Sequence, residues 1–277
     1  MTVKLREVLD TATLRLHAVS DSARLDAELL LQRAIGRERA WLYAYADSDV
    51  TQEQQTSFHR MLQRRQRGEP IAYILGCQEF YGLLFHVDKH VLIPRPATEC
   101  MVDWVLDHYK TDAIRVLDLG TGSGAIAVAL AKHRPAWNIT AVDVSSEALA
   151  VAKQNAGRHN CHSIRWLESD WFNAVKGETF DLILSNPPYI DANDPHMLDL
   201  CFEPHTALVA EANGLACIDH ILSHAWIFLR KPGAVVIEHG FDQSKAVTEL
   251  ADKHGWLDPV DHLDLAGQPR YLVARSE

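Results

Sequence analysis

Residues 114–124 read Ile-Arg-Val-Leu-Asp-Leu-Gly-Thr-Gly-Ser-Gly, and Ala125-Ile-Ala-Val-Ala-Leu-Ala131 follows without a break. The apolar run Val116–Leu119 has the length of a strand and stops at a glycine, and the alanine-rich stretch behind it has the composition of a helix. Gly120, Gly122 and Gly124 mark the turn between them. Glycines at a strand-to-helix turn let the backbone come close to a ligand. Their spacing is Gly-x-Gly-x-Gly, which differs from the Gly-x-Gly-x-x-Gly of dinucleotide binders. Asp118 stands just ahead of the turn, and a second strand, Asn138–Val142, ends in Asp143. An acidic side chain at that point takes ribose hydroxyls in nucleotide-binding α/β folds. A glycine turn of this kind is shared by many α/β folds and names no chemistry alone.

Further along, the apolar run Phe180–Ser185 enters Asn186-Pro187-Pro188-Tyr189. In isolation such a tetrapeptide is an ordinary turn after a strand. Its place downstream of the glycine turn gives it another reading. Proline offers a carbonyl and no N–H, so the two prolines remove donors from the bend and leave acceptors. The Asn186 side-chain oxygen adds an acceptor, and the residue before a proline is held out of the helical region. Tyr189 has a ring that lies flat on a planar group. The four residues suit a planar NH2 group.

Working outward, residues 3–75 have helical periodicity. Leu5, Val8, Leu9 and Leu14 are read as one stripe, Leu25, Leu29 and Leu30 as the next, with Gly36 as a stop. Thr51 and Gln54 match a capping box ahead of Phe58, Met61 and Leu62. Gln78–Asp88 carries aromatics on both sides of Gly82 and predicts a hairpin. A stiff Leu92-Ile93-Pro94-Arg95-Pro96 segment leads into a helix from about Ala97 to Tyr109. From Ile114 on, strands and helices alternate, which predicts a largely parallel sheet covered on both faces. The expected organisation is a helical domain over 1–76, a hairpin and linker over 77–96, and an α/β domain over 97–277. Ligands in such sheets bind at the carboxyl ends of strands, where both motifs fall.

Composition narrows the classes. The chain has 277 residues, 47% of them hydrophobic, enough for a core, and no apolar run approaches the ~18 residues of a membrane span. Met1–Glu7 lacks the apolar core of a secretory signal, and the five cysteines are an odd number without a Cys-x-x-Cys pair. These features predict a cytoplasmic protein with no membrane partner and no metal. Each cysteine is read as a small buried hydrophobe and most of the fifteen histidines as surface residues. The net charge of −10 is uneven: residues 1–76 hold 11 Lys+Arg against 10 Asp+Glu, and residues 77–277 hold 16 against 27. An acidic α/β half weighs against a nucleic-acid substrate, because such binding neutralises phosphates with cations. The cluster Arg60, Arg64, Arg65 and Arg67 reads first as a solvated helix end and second as a binding patch.

The glycine turn, Asp143 and Asn186–Tyr189 together resemble the Rossmann-like S-adenosylmethionine (SAM) methyltransferases that act on amino groups. That resemblance implies SAM as cofactor and S-adenosyl-L-homocysteine as product. It places Asp118, Gly120, Thr121, Gly122, Ser123 and Gly124 at the methionine end, Asp143 at the ribose, Asp170 and Trp171 over the adenine, and Asn186 beside the cofactor. A closer resemblance covers essentially the whole chain. Glu69–Gly76, Glu79–Gly82, Leu92–Pro96 with Thr98-Glu99, Ser169–Phe172, Ser185–Ile190, Phe202–Pro204 and Glu238–Gly240 are similar to the protein-(glutamine-N5) methyltransferases that modify peptide chain release factors. The fold it implies is a Rossmann-like methyltransferase domain with a small N-terminal helical bundle joined by a β-hairpin. The substrate implied is the glutamine of the Gly-Gly-Gln loop of a class I release factor, gripped in part by the helical domain. Asn186, Pro187 and Tyr189 would be catalytic. Asn186 and the Pro187 carbonyl would accept from the glutamine amide, with Pro188, Tyr189 and Arg95 bordering the substrate. A structural ion pair is an equal reading for Arg95.

The sequence departs from that family at His196–Pro204, which lacks the Gly-Asp pair usual before Phe-Glu-Pro and is shortened. Three alternatives stay open: a sister enzyme acting on a ribosomal protein, whose Pro-Arg-Ser-Pro contrasts with Pro94-Arg95-Pro96; methylation of a nucleic-acid base; and a SAM-binding protein without turnover. A monomer is the default expectation.

Overall fold

The computed structural model describes residues 3–110 and 113–276. Met1 and Thr2 of the N-terminal stretch lie outside the described residues. The chain divides into two compact units, Met1–Gly76 and Cys77–Glu277.

The first unit holds β1 (Val3–Lys4), α1 (Leu5–Leu16), α2 (Ala23–Ile35), α3 (Arg39–Ala44), β2 (Asp49–Val50), α4 (Gln52–Gln66) and α5 (Ile71–Leu75). Strands β1 and β2 pair antiparallel, a ribbon too short to leave a sequence signal. The α1 stripe is Leu5, Val8, Leu9, Ala12 and Leu16. Leu14 was expected there and is 73% exposed; nine residues from Leu5, at 3.6 residues per turn, it falls on the opposite face. Leu25 is likewise exposed, and Ala27, Leu30 and Leu31 carry the buried face of α2. Gly36 ends α2 in the left-handed conformation.

The capping box of α4 is present. The Gln54 amide donates to Thr51 Oγ1 at 3.3 Å, and the Thr51 amide to Gln54 Oε1 at 3.0 Å. Thr51→Ala should lower the unfolding free energy by about 1 kcal/mol, read by urea denaturation of the full chain. The arginine cluster is partly consumed: Arg64 pairs with Glu69, and Arg65 Nε donates to Asp26 at 2.7 Å.

The second unit opens with a hairpin, β3 (Cys77–Phe80) and β4 (Leu83–His86), followed by α6 (Pro96–His108). Then come β5 (Arg115–Leu119), α7 (Ala125–His133), β6 (Asn138–Asp143), α8 (Ser146–Arg158), β7 (Arg165–Glu168) and β8 (Phe180–Ser185). The chain ends in α9 (Ala216–Phe228), β9 (Leu229–Glu238), α10 (Ser244–Lys253), β10 (Leu257–Leu263) and β11 (Pro269–Ser276). Among the described residues the strands form one seven-stranded sheet in the order β10-β11-β9-β8-β5-β6-β7. From β9 to β7 the neighbours are parallel, and β11 runs antiparallel to both β9 and β10.

Both faces are covered, which explains the unbroken apolar runs of the central strands. Val116, Leu182, Leu184 and Val236 pack with α6 and α7, whereas Leu117, Ile183, Val235 and Ile237 pack with α9 and α10. The chain moves from β5 to β6 and β7 on one side and returns to β8 and β9 on the other. The order therefore reverses at β5, and a crevice opens beyond the carboxyl ends of β5 and β8. No helix among the described residues is long and apolar enough to cross a membrane. The cysteines differ from expectation. Cys100 and Cys161 are buried, but Cys77 at the start of β3 and Cys217 at the start of α9 are half-buried, and Cys201 in a loop is exposed.

Candidate active site

Two adjoining cavities occupy the crevice. The first is bordered by Gly120–Ser123, Asp143, Asp170, Trp171, Asn186 and Pro188. The second is bordered by Arg95, Pro187, Tyr189, Ile190 and Leu200. Leu92, Asn186 and Ala207 line both, so Asn186 stands in the shared wall.

The glycine turn is held by its neighbours. The Thr121 amide donates to the Val142 carbonyl at 2.9 Å, and the Gly122 amide to Asp143 Oδ2 at 2.8 Å. Asp143 Oδ1 accepts from the Ser145 amide at 2.9 Å. Burial nonetheless raises its carboxyl above the usual range, the backbone donors opposing. Gly124 caps α7 at φ +79°, and a Cβ there would meet Ala152 Cβ at 3.0 Å and Trp166 at 3.3 Å. Only glycine lets α7, α8 and β7 close beneath the turn. Asn155 on α8 clamps the turn to the hairpin. It is fully buried, its Nδ2 donates to the carbonyls of Ser123 and His86, and its Oδ1 accepts from the His86 amide.

Two residues expected at the cofactor do not border the cavity. Gly124 is packed under the turn. Asp118 is fully buried below it, accepting from Thr121 Oγ1 at 2.6 Å with Oδ2 and leaving Oδ1 without a partner. Both support the turn from beneath. Burial, with the Asp143 charge nearby, pushes the Asp118 carboxyl up to about 7 from an ordinary 3.8. A raised carboxyl binds protons in the folded chain that the unfolded chain has released. Its stabilising contribution is full below pH 3.8 and is lost as pH rises through about 7. Asp118→Asn should remove that part of the pH slope, read as the wild-type-minus-variant unfolding free energy between pH 5 and 8.

The Asn-Pro-Pro-Tyr bend is anchored on every side. Ser185 Oγ donates to the Leu119 carbonyl at 2.9 Å, tying the end of β8 to that of β5. Asn186 Nδ2 donates to Thr98 Oγ1 at 3.4 Å, while Asn186 Oδ1 is buried without a partner. The Tyr189 hydroxyl donates to Glu238 Oε1 at 3.3 Å, and burial raises its phenol. Its carbonyl accepts from Gln243 Nε2 at 2.9 Å. The rim pair is resolved as an ion pair. Arg95 donates to Glu203, which is 7% exposed and also accepts from the Ile93 amide at 3.0 Å. Arg95 borders the second cavity with its guanidinium already committed. Thr98, Asn155, Glu238 and Gln243 were given no role from sequence, since each acts through a partner remote in the chain. Glu238-His239-Gly240 and Thr98-Glu99 had appeared only as family-like residues.

The residues fit a nucleoside-bearing cofactor: an open glycine turn, a strand-end carboxylate at Asp143, and a half-buried indole at Trp171 bordering the same space. Among the described residues no cluster of His, Cys, Asp or Glu is arranged to hold a metal.

Family models match at two places: the PrmC N-terminal domain over residues 7–76 and the methyltransferase small domain over 96–203. A release factor glutamine methyltransferase of Shewanella oneidensis is 46% identical over 271 residues, covering 97% of this chain and 95% of that protein. Proteins of the same name from Salmonella typhimurium and Coxiella burnetii are 44% and 40% identical, covering 92% and 99% of this chain and 93% and 99% of theirs. Among solved structures, the hMettl16 catalytic domain in complex with a MAT2A 3'UTR hairpin superposes at TM-score 0.59 and 19% identity, over 76% of this chain and 80% of that one. A methyltransferase from Pyrococcus furiosus superposes at TM-score 0.55 and 19% identity, over 78% and 98%. These likenesses establish the fold.

Proposed function

Since this chain belongs to the release factor glutamine methyltransferases, we propose that it moves the methyl group of SAM to the side-chain amide nitrogen of the glutamine in the Gly-Gly-Gln loop of a class I release factor. The observation that carries this reading is Asn186 Oδ1, a buried acceptor with no partner in the wall between two cavities. When bound, SAM supplies an electrophilic methyl on a sulfonium and leaves as S-adenosylhomocysteine, and the amide nitrogen, made acidic by the incoming methyl, gives up one N–H proton to solvent. Gly120–Ser123, Asp143, Asp170, Trp171 and Asn186 would hold it, with Asp118 and Gly124 shaping the turn from below.

An amide nitrogen is a poor nucleophile because its lone pair is delocalised; the ~18–20 kcal/mol rotation barrier of a peptide amide measures that resonance. Asn186 Oδ1 and the Pro187 carbonyl can each take one of the two N–H groups. Electron density drawn back to nitrogen in this way favours attack, and the fixed bend aims it. Positioning of this kind supplies roughly 7–11 kcal/mol in favourable systems. Pro187 and Pro188 offer no N–H to compete for the acceptors. Tyr189, tied at both its hydroxyl and its carbonyl, forms a rigid side of the slot, and the Arg95–Glu203 pair stiffens its rim. A glutamate or hydroxyl substrate would leave one acceptor unpaired, at a cost of about 1–3 kcal/mol.

The test is mass spectrometry of a recombinant release factor incubated with this protein and SAM, beside a variant whose Gly-Gly-Gln glutamine is alanine. A gain of one methyl group on that glutamine of the native factor alone is the expected result. No gain, with SAM bound, would overturn the substrate assignment and leave the cofactor assignment standing.

A further inference from the structure

Glu238 ends β9, one residue beyond the register pair Ser185–Ile237, so it lies beside Asn186. It is 1% exposed, and its Oε2 has no hydrogen-bond partner. Its other oxygen accepts from Tyr189. Thr98, in the first turn of α6 and buried, accepts from Asn186 Nδ2 at 3.4 Å. Its hydroxyl is the strongest of the groups that hold the Glu238 carboxyl down, though no hydrogen bond joins the two. One buried carboxyl, with an oxygen open to the Thr98 proton, therefore lies beside the bend.

The order of donors along this chain matters. A hydroxyl has one proton and two lone pairs, so Thr98 can present either to Asn186. If its proton points at Asn186, the asparagine must turn Oδ1 toward Thr98 and present an NH2 group to the substrate. The site would then oppose donor to donor. An ionised carboxylate only accepts. Placed behind Thr98 it draws the hydroxyl proton to itself and leaves only lone pairs facing Asn186. Asn186 then gives Nδ2 to Thr98 and Oδ1 to the cavity.

Resting on the reading that Asn186 Oδ1 receives the substrate amide, we propose that Glu238 is a positioning residue that sets, through Thr98, which end of the Asn186 amide faces the substrate. Protonation of Glu238 would let the relay run backwards. Tyr189 from the bend, Thr98 from α6, Arg270 from β11 and the adjoining His239 all hold this carboxyl down, and burial outweighs them and raises it. Methyl transfer should accordingly fall on the acid side as Glu238 takes up a proton.

The experiment compares wild type, Glu238→Gln, Thr98→Val and Thr98→Ser in methylation of the release factor across pH, with SAM affinity and melting temperature measured on each. Glutamine keeps the size of Glu238 but adds a donor. Glu238→Gln and Thr98→Val should each lower kcat by about tenfold or more, the scale of one misplaced buried hydrogen bond. KM for the release factor and SAM affinity should stay within about threefold. The acid limb of the wild-type kcat profile should vanish in Glu238→Gln, and Thr98→Ser should restore what Thr98→Val loses. Neutron diffraction of the wild-type protein at alkaline pH locates the deuterons, expected on Asn186 Nδ2 toward Thr98 and on Thr98 Oγ1 toward Glu238. A wild-type kcat in Glu238→Gln, a loss tracking SAM affinity or melting temperature, or Asn186 Oδ1 facing Thr98 would each overturn the proposal. A wild-type protein that leaves the release factor unmethylated would sink the functional reading instead, while the neutron map still decides the relay.

Discussion

Asn186→Ala should lower the single-turnover rate of methyl transfer by about 10²–10³, the range seen when one preorganised polar group is removed from a reacting centre. Alanine deletes the unpaired acceptor in the shared wall and the donor that engages Thr98, so the substrate amide loses both its partner and its aim. SAM affinity should change far less, because the glycine turn, Asp143 and Trp171 line the first cavity independently. Asn186→Asp separates the two losses: its carboxylate still accepts but has no N–H for Thr98. Its rate should fall between those of alanine and wild type. Rapid-quench transfer rates beside calorimetric SAM titration make the measurement. A wild-type rate in the alanine variant would remove Asn186 from the mechanism.

Gly214→Ala should slow transfer too, from outside either cavity. Gly214 has φ +82°, and a Cβ there would lie 2.1 Å from the Tyr189 carbonyl oxygen and 2.7 Å from Gln243 Nε2. Both are parts of one clamp, in which Gln243 donates to the carbonyls of Tyr189 and Asn213 and accepts from the Gly240 amide. The backbone of the bend must move or the clamp must open. Left-handed backbone alone costs a non-glycine residue about 1–3 kcal/mol, and displacement of Tyr189 should cut transfer by about tenfold or more. Thermal unfolding, transfer rate and SAM affinity on one preparation test this. The expectation is a lower melting temperature and slower transfer with near-normal cofactor binding. Unaltered transfer would show that the bend does not depend on the clamp.

What the sequence revealed was whatever is contiguous in it. The Val116–Ala131 strand, turn and helix and the Asn186–Tyr189 bend each carry their signal within a few residues, and the parallel core followed from their alternation. The residues behind them were hidden because topology assembles them. Thr98 comes from α6, Glu238 from β9, Asn155 from α8 and Gln243 from the start of α10, and only the placing of β9 beside β8 brings Glu238 to Asn186. Asp118 adjoins the glycines in sequence, and strand alternation turns its side chain beneath them, where it accepts from Thr121. The terminal β10–β11 hairpin was missed because β10 is short of buried residues and contains Pro259, so its pattern does not alternate cleanly. Leu14 shows the same limit in α1, where a plausible leucine lies half a turn away from the stripe.

Four buried side-chain atoms among the described residues lack a hydrogen-bond partner, and three of them, on Asp118, Asn186 and Glu238, lie at or just past the carboxyl ends of the neighbouring strands β5, β8 and β9. Folded proteins rarely tolerate such atoms, each of which opposes folding by about 1–3 kcal/mol. The discomfort of this molecule is thus concentrated in and directly behind the wall of the proposed site. A laboratory selection for heat resistance, blind to activity, should draw apolar or self-satisfied replacements to these three positions first. The hardiest survivors would be inert, and a map of where they mutated would trace the proposed site and its support without a single assay of methylation.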